Sequence, residues 1–179
     1  MTPKYDIVIS NAIIVDGTGT VPRQGHVGIK NGVIKVIQES NSTPTHEMAA
    51  HSTIDANGKI LCPGFIDIHT HSDLTLIADG RGESKLRQGV TTEVVGNCSF
   101  SAFPIEPKHL DLHADHLARA TAPIRPWWTD LDGYSKALYR EGIAINVASL
   151  VGHGTLRVAA MGVEQRPPTK SELARMISD

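Results

Sequence analysis

The segment Pro63–His71 reads Pro-Gly-Phe-Ile-Asp-Ile-His-Thr-His, and it sets the fold expected for the residues that follow it. The proline and glycine interrupt the preceding pattern, and Phe65–His69 is rich in residues that favour a β-strand. His69 and His71 come at the end of this strand, and two imidazoles so close in sequence can bind one divalent ion together. From the spacing alone, the alternative is a pair of surface histidines beside a turn.

Alternation along this strand predicts two distinct faces, because side chains two residues apart point the same way. Asp67, His69 and His71 are predicted to share one face, with Ile66 and Ile68 on the other. In a βα barrel the outward face packs on helices, and catalytic groups lie inward at the carboxyl ends of the strands. We therefore expect the isoleucines to point outward and the histidines inward.

Residues 1–62 are predicted to form a small β-domain, a single sheet or half of a β-sandwich. Asn31-Gly32 favours a two-residue hairpin turn, since both residues tolerate positive φ, and Asn57-Gly58 marks another turn. Residues 39–52 are polar and mixed, which is typical of a loop. The predicted strands are Asp6–Ser10, Ala12–Val15, His26–Lys30, Val33–Ile37, Ser52–Ala56 and Lys59–Leu61.

Residues 63–179 alternate between strand-like and helix-like segments, which predicts βα units around a parallel sheet. Further strands are predicted at Thr91–Val95 and Ile143–Val151, and helices at Glu83–Gln88, Pro107–Ala120, Tyr134–Arg140 and Thr155–Met161. Thr169 and Glu172 have the spacing of a capping box that opens a last helix. The sequence stops soon after that helix begins, and we interpret this as a truncated domain.

The segment Gly96-Asn97-Cys98 directly follows the second predicted strand of this region, which places Cys98 at the same end of the sheet as His69 and His71. A thiolate is a good zinc ligand, but a free cysteine is more often a small buried apolar residue. His153, between two glycines after the third strand, is a candidate for substrate contact or simply for a helix start. Both pairs of alternatives stay open at this point.

The remaining histidines and aromatic residues carry weaker signals. His109 and His113 lie four apart but lack the glutamate of a helical zinc motif, so they are predicted to face solvent. Trp127-Trp128 belongs to a proline-flanked loop that either contacts substrate or anchors itself. His26, His46 and His51 are expected at strand edges or in loops, and Cys62 in a structural link.

Composition excludes several functional classes. The net charge of −2 gives no basic surface for nucleic acid. We find neither a membrane-spanning apolar stretch nor the apolar centre of a secretory signal, so a cytoplasmic protein is expected. The two cysteines are too few for a disulfide framework.

With these residues in hand, the segment 63–73 resembles the start of the barrel in metal-dependent amidohydrolases. Three further segments resemble, more narrowly, the N-acyl-D-amino-acid deacylases or D-aminoacylases. These are Ser84–Cys98 (SKLRQGVTTEVVGNC), Trp127–Tyr134 (WWTDLDGY) and Asn146–Arg157 (NVASLVGHGTLR). The resemblance extends over nearly all 179 residues.

This resemblance implies an α/β fold in which residues 63–179 hold the first three βα units of an incomplete TIM-like metal-dependent hydrolase barrel. It implies zinc as the cofactor, with His69, His71 and Cys98 as ligands. The other histidine ligands and the catalytic aspartate are expected beyond Asp179. The family usually has glycine after the cysteine, and Ser99 stands there instead, which would be strained if the position needs positive φ. Candidates to orient the ligands or contact substrate are Asp67, Asp73 and His153.

The activity implied is hydrolysis of a linear amide, in which an N-acyl-D-amino acid and water give a carboxylate and a D-amino acid through zinc-activated water. The chain alone is expected to be inactive, because three strands cannot close a barrel. One alternative is a non-catalytic metal-binding fragment that self-associates or binds a partner through its open sheet edge. Another is a hydantoinase-like cyclic amidase, against which Cys98 counts, because many amidohydrolases use a carboxylated lysine instead.

Overall fold

The computed structural model describes residues 3–40, 48–119, 122–140 and 142–178. The chain divides into two compact units, Met1–Pro63 and Gly64–Asp179. Among the residues described, no helix has the length and apolar character needed to cross a membrane.

The first unit is a five-stranded sheet whose central strand pairs on both sides. In the order β3-β2-β1-β4, β1 and β3 run antiparallel to β2, whereas β4 and β5 each run parallel to β1. Apolar side chains of these strands form two small clusters, around Val8 and around Ile14. The strands are β1 (Tyr5–Ile14), β2 (Arg23–Lys30), β3 (Val33–Glu39), β4 (Ala50–Asp55) and β5 (Ile60–Leu61).

Asn11 does not divide two strands, contrary to the prediction, but forms a bulge within β1. Its φ is 55°, and the pairing with β2 shifts between Ile9 and Ala12. His26 accepts a hydrogen bond from the Asn11 amide through Nδ1 at 3.2 Å and is buried within β2, so its expected place at an edge was wrong. A positive-φ asparagine is compatible with a continued strand when a buried side chain pairs with its amide.

The hairpin at Asn31-Gly32 is confirmed, with φ of 53° and 70° at its two residues. Asn57-Gly58 also adopts positive φ, at 48° and 74°. The turn there joins β4 and β5, which both pair with β1. His51 is exposed on β4, and His46 lies outside the described residues.

The second unit contains a three-stranded parallel sheet in the order β6-β7-β8, as the alternation of elements predicts. Its core brings together Leu74, Ile105, Trp128 and Tyr134. The elements are β6 (Phe65–Asp67), α1 (Thr75–Ala78), α2 (Glu83–Leu86), β7 (Val90–Val95), a 3₁₀ turn (Pro107–His109), α3 (Leu110–Ala118), α4 (Leu131–Arg140), β8 (Asn146–Ser149), α5 (His153–Met161) and α6 (Lys170–Ser178).

Several element boundaries differ from those predicted. The strands β6 and β8 end earlier, and α5 begins at His153 rather than Thr155. The capping box is confirmed, because Thr169 Oγ1 accepts the Glu172 amide at 3.3 Å while Glu172 Oε2 accepts the Thr169 amide at 2.7 Å. These two bonds satisfy amides that the first turn of α6 leaves free.

The predicted assignment of faces on β6 was wrong. Asp67 is the residue on the helix side, where it pairs with Lys85 of α2, whereas Ile66 and Ile68 are 62% and 74% exposed. The strand ends at Asp67, so the alternation that we extended to His69 and His71 does not reach them. The helix-facing row of the sheet continues in register from Asp67 to Glu93 and Val147.

The helix α3 also corrects a prediction, since His113 is fully buried rather than facing solvent. His113 Nε2 accepts the Glu106 amide at 3.4 Å, and His109 Nδ1 is 2.8 Å from the carbonyl oxygen of Val158 in α5. Burial, followed by the nearby His116 and His109, lowers the pKa of His113 to about 4. The buried ring therefore stays neutral at neutral pH.

Candidate metal centre

Three potential metal ligands converge beyond the ends of β6 and β7. One donor atom from each of His69, His71 and Cys98 lies within 4.8 Å of the others, and no other such group occurs among the residues that the structure describes. His69 Nε2 and Cys98 Sγ are 3.1 Å apart. His69 and Cys98 are exposed and His71 is half-buried, so the group is open to solvent on one side.

The arrangement fits a tetrahedral ion. Zn–N bonds of about 2.0 Å and Zn–S bonds of about 2.3 Å place neighbouring ligand atoms roughly 3.5 Å apart. The spread of up to 4.8 Å closes to that value if the side chains move by about 1 Å. Within the described part of the chain, His71 Nδ1 is also buried without a hydrogen-bond partner, which is unfavourable unless the atom binds a ligand. The group leaves at least one tetrahedral position for a further ligand.

Asp67 hydrogen-bonds to the backbone of His69, whose ring lies beside Cys98. Its Oδ1 accepts the His69 amide at 3.2 Å, and its Oδ2 accepts the Lys85 ammonium at 2.5 Å. The bond from Lys85, and then that from the His69 amide, holds the pKa of Asp67 below its ordinary value. Thr70 continues the turn by donating its amide to the Val94 carbonyl at 3.3 Å. The candidate Asp67 thus contacts the backbone of a candidate ligand residue.

The loop after β7 holds Cys98 in an uncommon backbone conformation. φ is 83° at Gly96, 51° at Cys98 and 72° at Ser99. The side-chain amide of Asn97 bridges the two loops that carry the candidate ligands, since it donates to the carbonyls of Val94 at 2.8 Å and Thr70 at 3.4 Å. Ser99 thus has positive φ, the condition under which strain was expected there, and this conformation costs a non-glycine residue about 1 kcal/mol or more.

The start of α5 packs closely against this loop. The Thr155 amide donates to the Ser99 carbonyl at 3.1 Å, and the Gly152 amide donates to Ser101 Oγ at 2.9 Å. A Cβ on Gly152 would lie 2.5 Å from the Ser99 carbonyl carbon, which is closer than real Cβ contacts come. The glycine at this position thus lets two backbone segments meet beside Cys98.

A stack of aromatic rings supports the other side of the site. Phe100 packs edge-on against His71, with centroids 6.2 Å apart, and stacks on His116 at 4.5 Å. Sequence reasoning missed Asn97 and Phe100. The sequence offers one signal for Asn97, which is its position next to Cys98. No local pattern predicts that Phe100 contacts the site or that His116 stacks on it.

The other two candidates lie outside the group. Asp73 is fully buried, where Oδ1 accepts the Gly96 amide at 3.0 Å and its carbonyl accepts the Tyr134 hydroxyl at 2.7 Å. Burial raises the pKa of Asp73, against the lowering effect of its backbone hydrogen bonds. His153 is the exposed first residue of α5. Asp73 thus braces the loop that carries Cys98.

The two tryptophans differ in burial, and the two roles considered for them were anchoring the loop and contacting substrate. Trp128 is buried and donates Nε1–H to the Ala102 carbonyl at 2.8 Å, so it anchors the loop in the core. Trp127 is exposed. Cys62 is exposed as well, and its thiol is free.

Comparison with known proteins finds long matches. The chain is 38% identical to an N-acyl-D-aspartate deacylase of Alcaligenes xylosoxydans xylosoxydans, covering 97% of this chain and 33% of that protein. It is similar to a crystal structure of N-acyl-D-glutamate deacylase from Bordetella bronchiseptica, complexed with zinc and a phosphonate inhibitor, at 38% identity and a TM-score of 0.78. That match covers 98% of this chain and 35% of the other.

A solved D-aminoacylase is also similar, with 34% identity, a TM-score of 0.73 and coverage of 97% of this chain and 35% of that one. The chain thus spans about a third of the length of the relatives it matches. Residues 52–178 match the sequence profile of the amidohydrolase family, and this range contains both loops that carry the candidate ligands. Given this match and the fold around it, the chain belongs to the amidohydrolase family.

Proposed function

We propose that this chain carries part of the zinc centre of an N-acyl-D-amino-acid deacylase, with His69, His71 and Cys98 as ligands. The observation that carries the proposal is the convergence of their donor atoms within 4.8 Å, on loops that follow two neighbouring parallel strands. The deacylase relatives, one of them solved with zinc, support the choice of metal and of reaction.

The proposal includes a place for the sheet in a larger fold. We assign β6, β7 and β8 as the first three strands of a (β/α)8 barrel, within a domain of residues 63–179 that follows a small β-domain of residues 1–62. The parallel order of the three strands supports this assignment. So do the helices packed on one face of the sheet and the candidate ligands beyond the carboxyl ends of its strands.

Within this centre each ligand has a distinct role. The two imidazoles would donate neutral lone pairs, while the Cys98 thiolate would bring one negative charge. When bound, zinc polarises an amide carbonyl and lowers the pKa of bound water. The exposed side of His69 and Cys98 leaves room for a small N-acyl-D-amino acid substrate.

The direct test is zinc binding by the purified 179-residue chain. We expect one zinc per chain and a loss of affinity of at least tenfold in Cys98→Ser and His71→Ala. The exposed thiol at Cys62 supplies a matched control, so Cys62→Ser should bind zinc normally. Equal affinity in Cys98→Ser and Cys62→Ser would reject the proposed centre.

Activity is tested separately, with N-acetyl-D-glutamate and N-acetyl-D-methionine. The chain holds three ligands and about a third of the length of its relatives, so we expect zinc binding without turnover. Robust release of amino acid by the chain alone would contradict that expectation. Turnover of a hydantoin instead would favour a cyclic amidase.

A second function, a metal-binding fragment completed by another chain, is favoured by one observation. Ile66 and Ile68 are exposed on the face of the parallel sheet that lies opposite the helices. Apolar residues in such a position are typical of an interface. Light scattering at several concentrations tests this function, and a monomer throughout would argue against self-association.

A further inference from the structure

A three-residue charge cluster lies beneath the candidate metal centre, on the helix side of the sheet. Lys85 Nζ is 2.5 Å from Asp67 Oδ2 and 3.6 Å from Glu93 Oε1. Asp67 and Glu93 are register partners on the neighbouring strands β6 and β7. Their carboxylates therefore point to the same side, and the ammonium stands between them.

Glu93 shows that the cluster is not an ordinary surface ion pair. The residue is fully buried, and neither of its carboxylate oxygens has a hydrogen-bond partner among the residues that the structure describes. A buried carboxylate without partners is strongly unfavourable, so the ammonium at 3.6 Å is its nearest compensation. Lys85 in turn has two anionic neighbours that attract it to one position.

The Lys85 ammonium has room to move, so the charges around it influence where it lies. Lys85 and Glu93 line an open cavity of about 360 Å³, and the Lys85 side chain is 30% exposed. The carboxylates of Asp67 and Glu93 both attract the Lys85 ammonium, which lies between them and closer to Asp67. Substitution of Lys85 by a neutral residue would leave Asp67 free to rotate away from the His69 amide.

We propose that Lys85, held by Glu93, is a positioning residue that fixes Asp67 against the His69 amide and so orients the His69 ring toward Cys98. The chain of contacts runs from Glu93 through Lys85 and Asp67 to His69. This role rests on the proposed zinc centre, but the orientation of His69 is a property of the metal-free chain. Groups that orient metal ligands commonly contribute 10–100-fold in metal affinity.

The test uses the double substitution Lys85→Met with Glu93→Gln. It removes one charge of each sign, so the net charge near the metal stays the same and no buried carboxylate is left unpaired. The matched control is Lys136→Met with Asp132→Asn, which neutralises an exposed 2.5 Å ion pair on α4. Lys85→Arg keeps the cation and serves as the conservative variant.

Two measurements are needed, zinc affinity by competition with a chelator and hydrogen exchange of the His69 amide in the metal-free chain. We expect the Lys85/Glu93 double variant to bind zinc at least tenfold more weakly and to exchange the His69 amide faster, while unfolding at nearly the wild-type temperature. Lys85→Arg should bind within about threefold of wild type, and the Lys136/Asp132 control should be unchanged.

Wild-type zinc affinity and wild-type His69 exchange in the Lys85/Glu93 variant would overturn the inference. Zinc binding that is insensitive to Cys98→Ser would instead overturn the metal centre itself, and the His69 exchange rate would still decide whether Lys85 positions that residue. If the double variant does not fold, Lys85→Gln with Glu93→Gln takes its place under the same criteria.

Discussion

Substitution of Gly152 by alanine tests whether the start of α5 fixes the position of Cys98. The backbone of Gly152 has φ −77° and ψ 129°, values that alanine adopts readily, so the only change is one added methyl group. That methyl would lie 2.5 Å from the carbonyl carbon and oxygen of Ser99 and 2.7 Å from the carbonyl carbon of Phe100. All three neighbours are backbone atoms, which cannot rotate away.

The expected magnitude follows from these distances. Ordinary contact begins at 3.4 Å, so the loop of Cys98 and Ser99 must retreat by about 1 Å. Overpacking of this kind costs about 1–3 kcal/mol, partly offset by about 0.5 kcal/mol because alanine restricts the unfolded chain. The candidate ligand atoms must already move by about 1 Å to bind one ion, so a backbone shift of about 1 Å at Cys98 adds to that movement, and zinc affinity should fall at least tenfold.

The assay combines urea unfolding of the metal-free chain with chelator competition for zinc. Gly142→Ala is the control, because φ is +81° there and no atom lies within 4 Å of the added methyl. It should destabilise by about 1 kcal/mol through backbone strain alone and leave zinc affinity unchanged. Gly152→Ala with wild-type zinc affinity would refute the idea that α5 positions the ligand loop.

Four further substitutions test Ser99, His113 and the two tryptophans. Ser99→Gly should raise the free energy of unfolding by about 0.5–1 kcal/mol, since φ is 72° there. If urea titration gives a lower free energy of unfolding instead, the side-chain contacts of Ser99 outweigh the strain. Because the pKa of His113 falls to about 4 in the fold, its contribution is complete above pH 6.5 and is lost as pH drops toward 4, by up to about 3 kcal/mol. His113→Gln should flatten that pH dependence in thermal unfolding, and an unchanged slope would contradict the assignment. Trp128→Phe should cost about 2 kcal/mol by leaving the Ala102 carbonyl without its donor, whereas Trp127→Phe should cost less than about 0.5 kcal/mol. Equal losses in chemical denaturation would argue against an anchoring role for Trp128.

The sequence was informative where local chemistry decides the structure. Asn31-Gly32 predicted its hairpin because few residue pairs accept two positive φ angles. The capping box at Thr169 was visible because both partners lie within one turn. His113 was misjudged for the opposite reason, since α3 packs against α5, which begins about 40 residues later in the chain, and no local pattern predicts which face of α3 is buried.

The wrong face assignment on β6 shows how the candidate site is built. Alternation holds only while the backbone stays extended, and β6 stops at Asp67, two residues before His69. His69 therefore takes its direction from a turn in which the Asp67 carboxylate accepts its amide, and that carboxylate takes its direction from Lys85. The residue spacing identified which side chains could meet, because a histidine pair after one parallel strand and a cysteine after the next lie at the same carboxyl end of the sheet. Their convergence to 4.8 Å depends on hydrogen bonds from residues that the spacing does not mark, and this is why substitutions beneath the site, rather than only at its ligands, should change metal affinity.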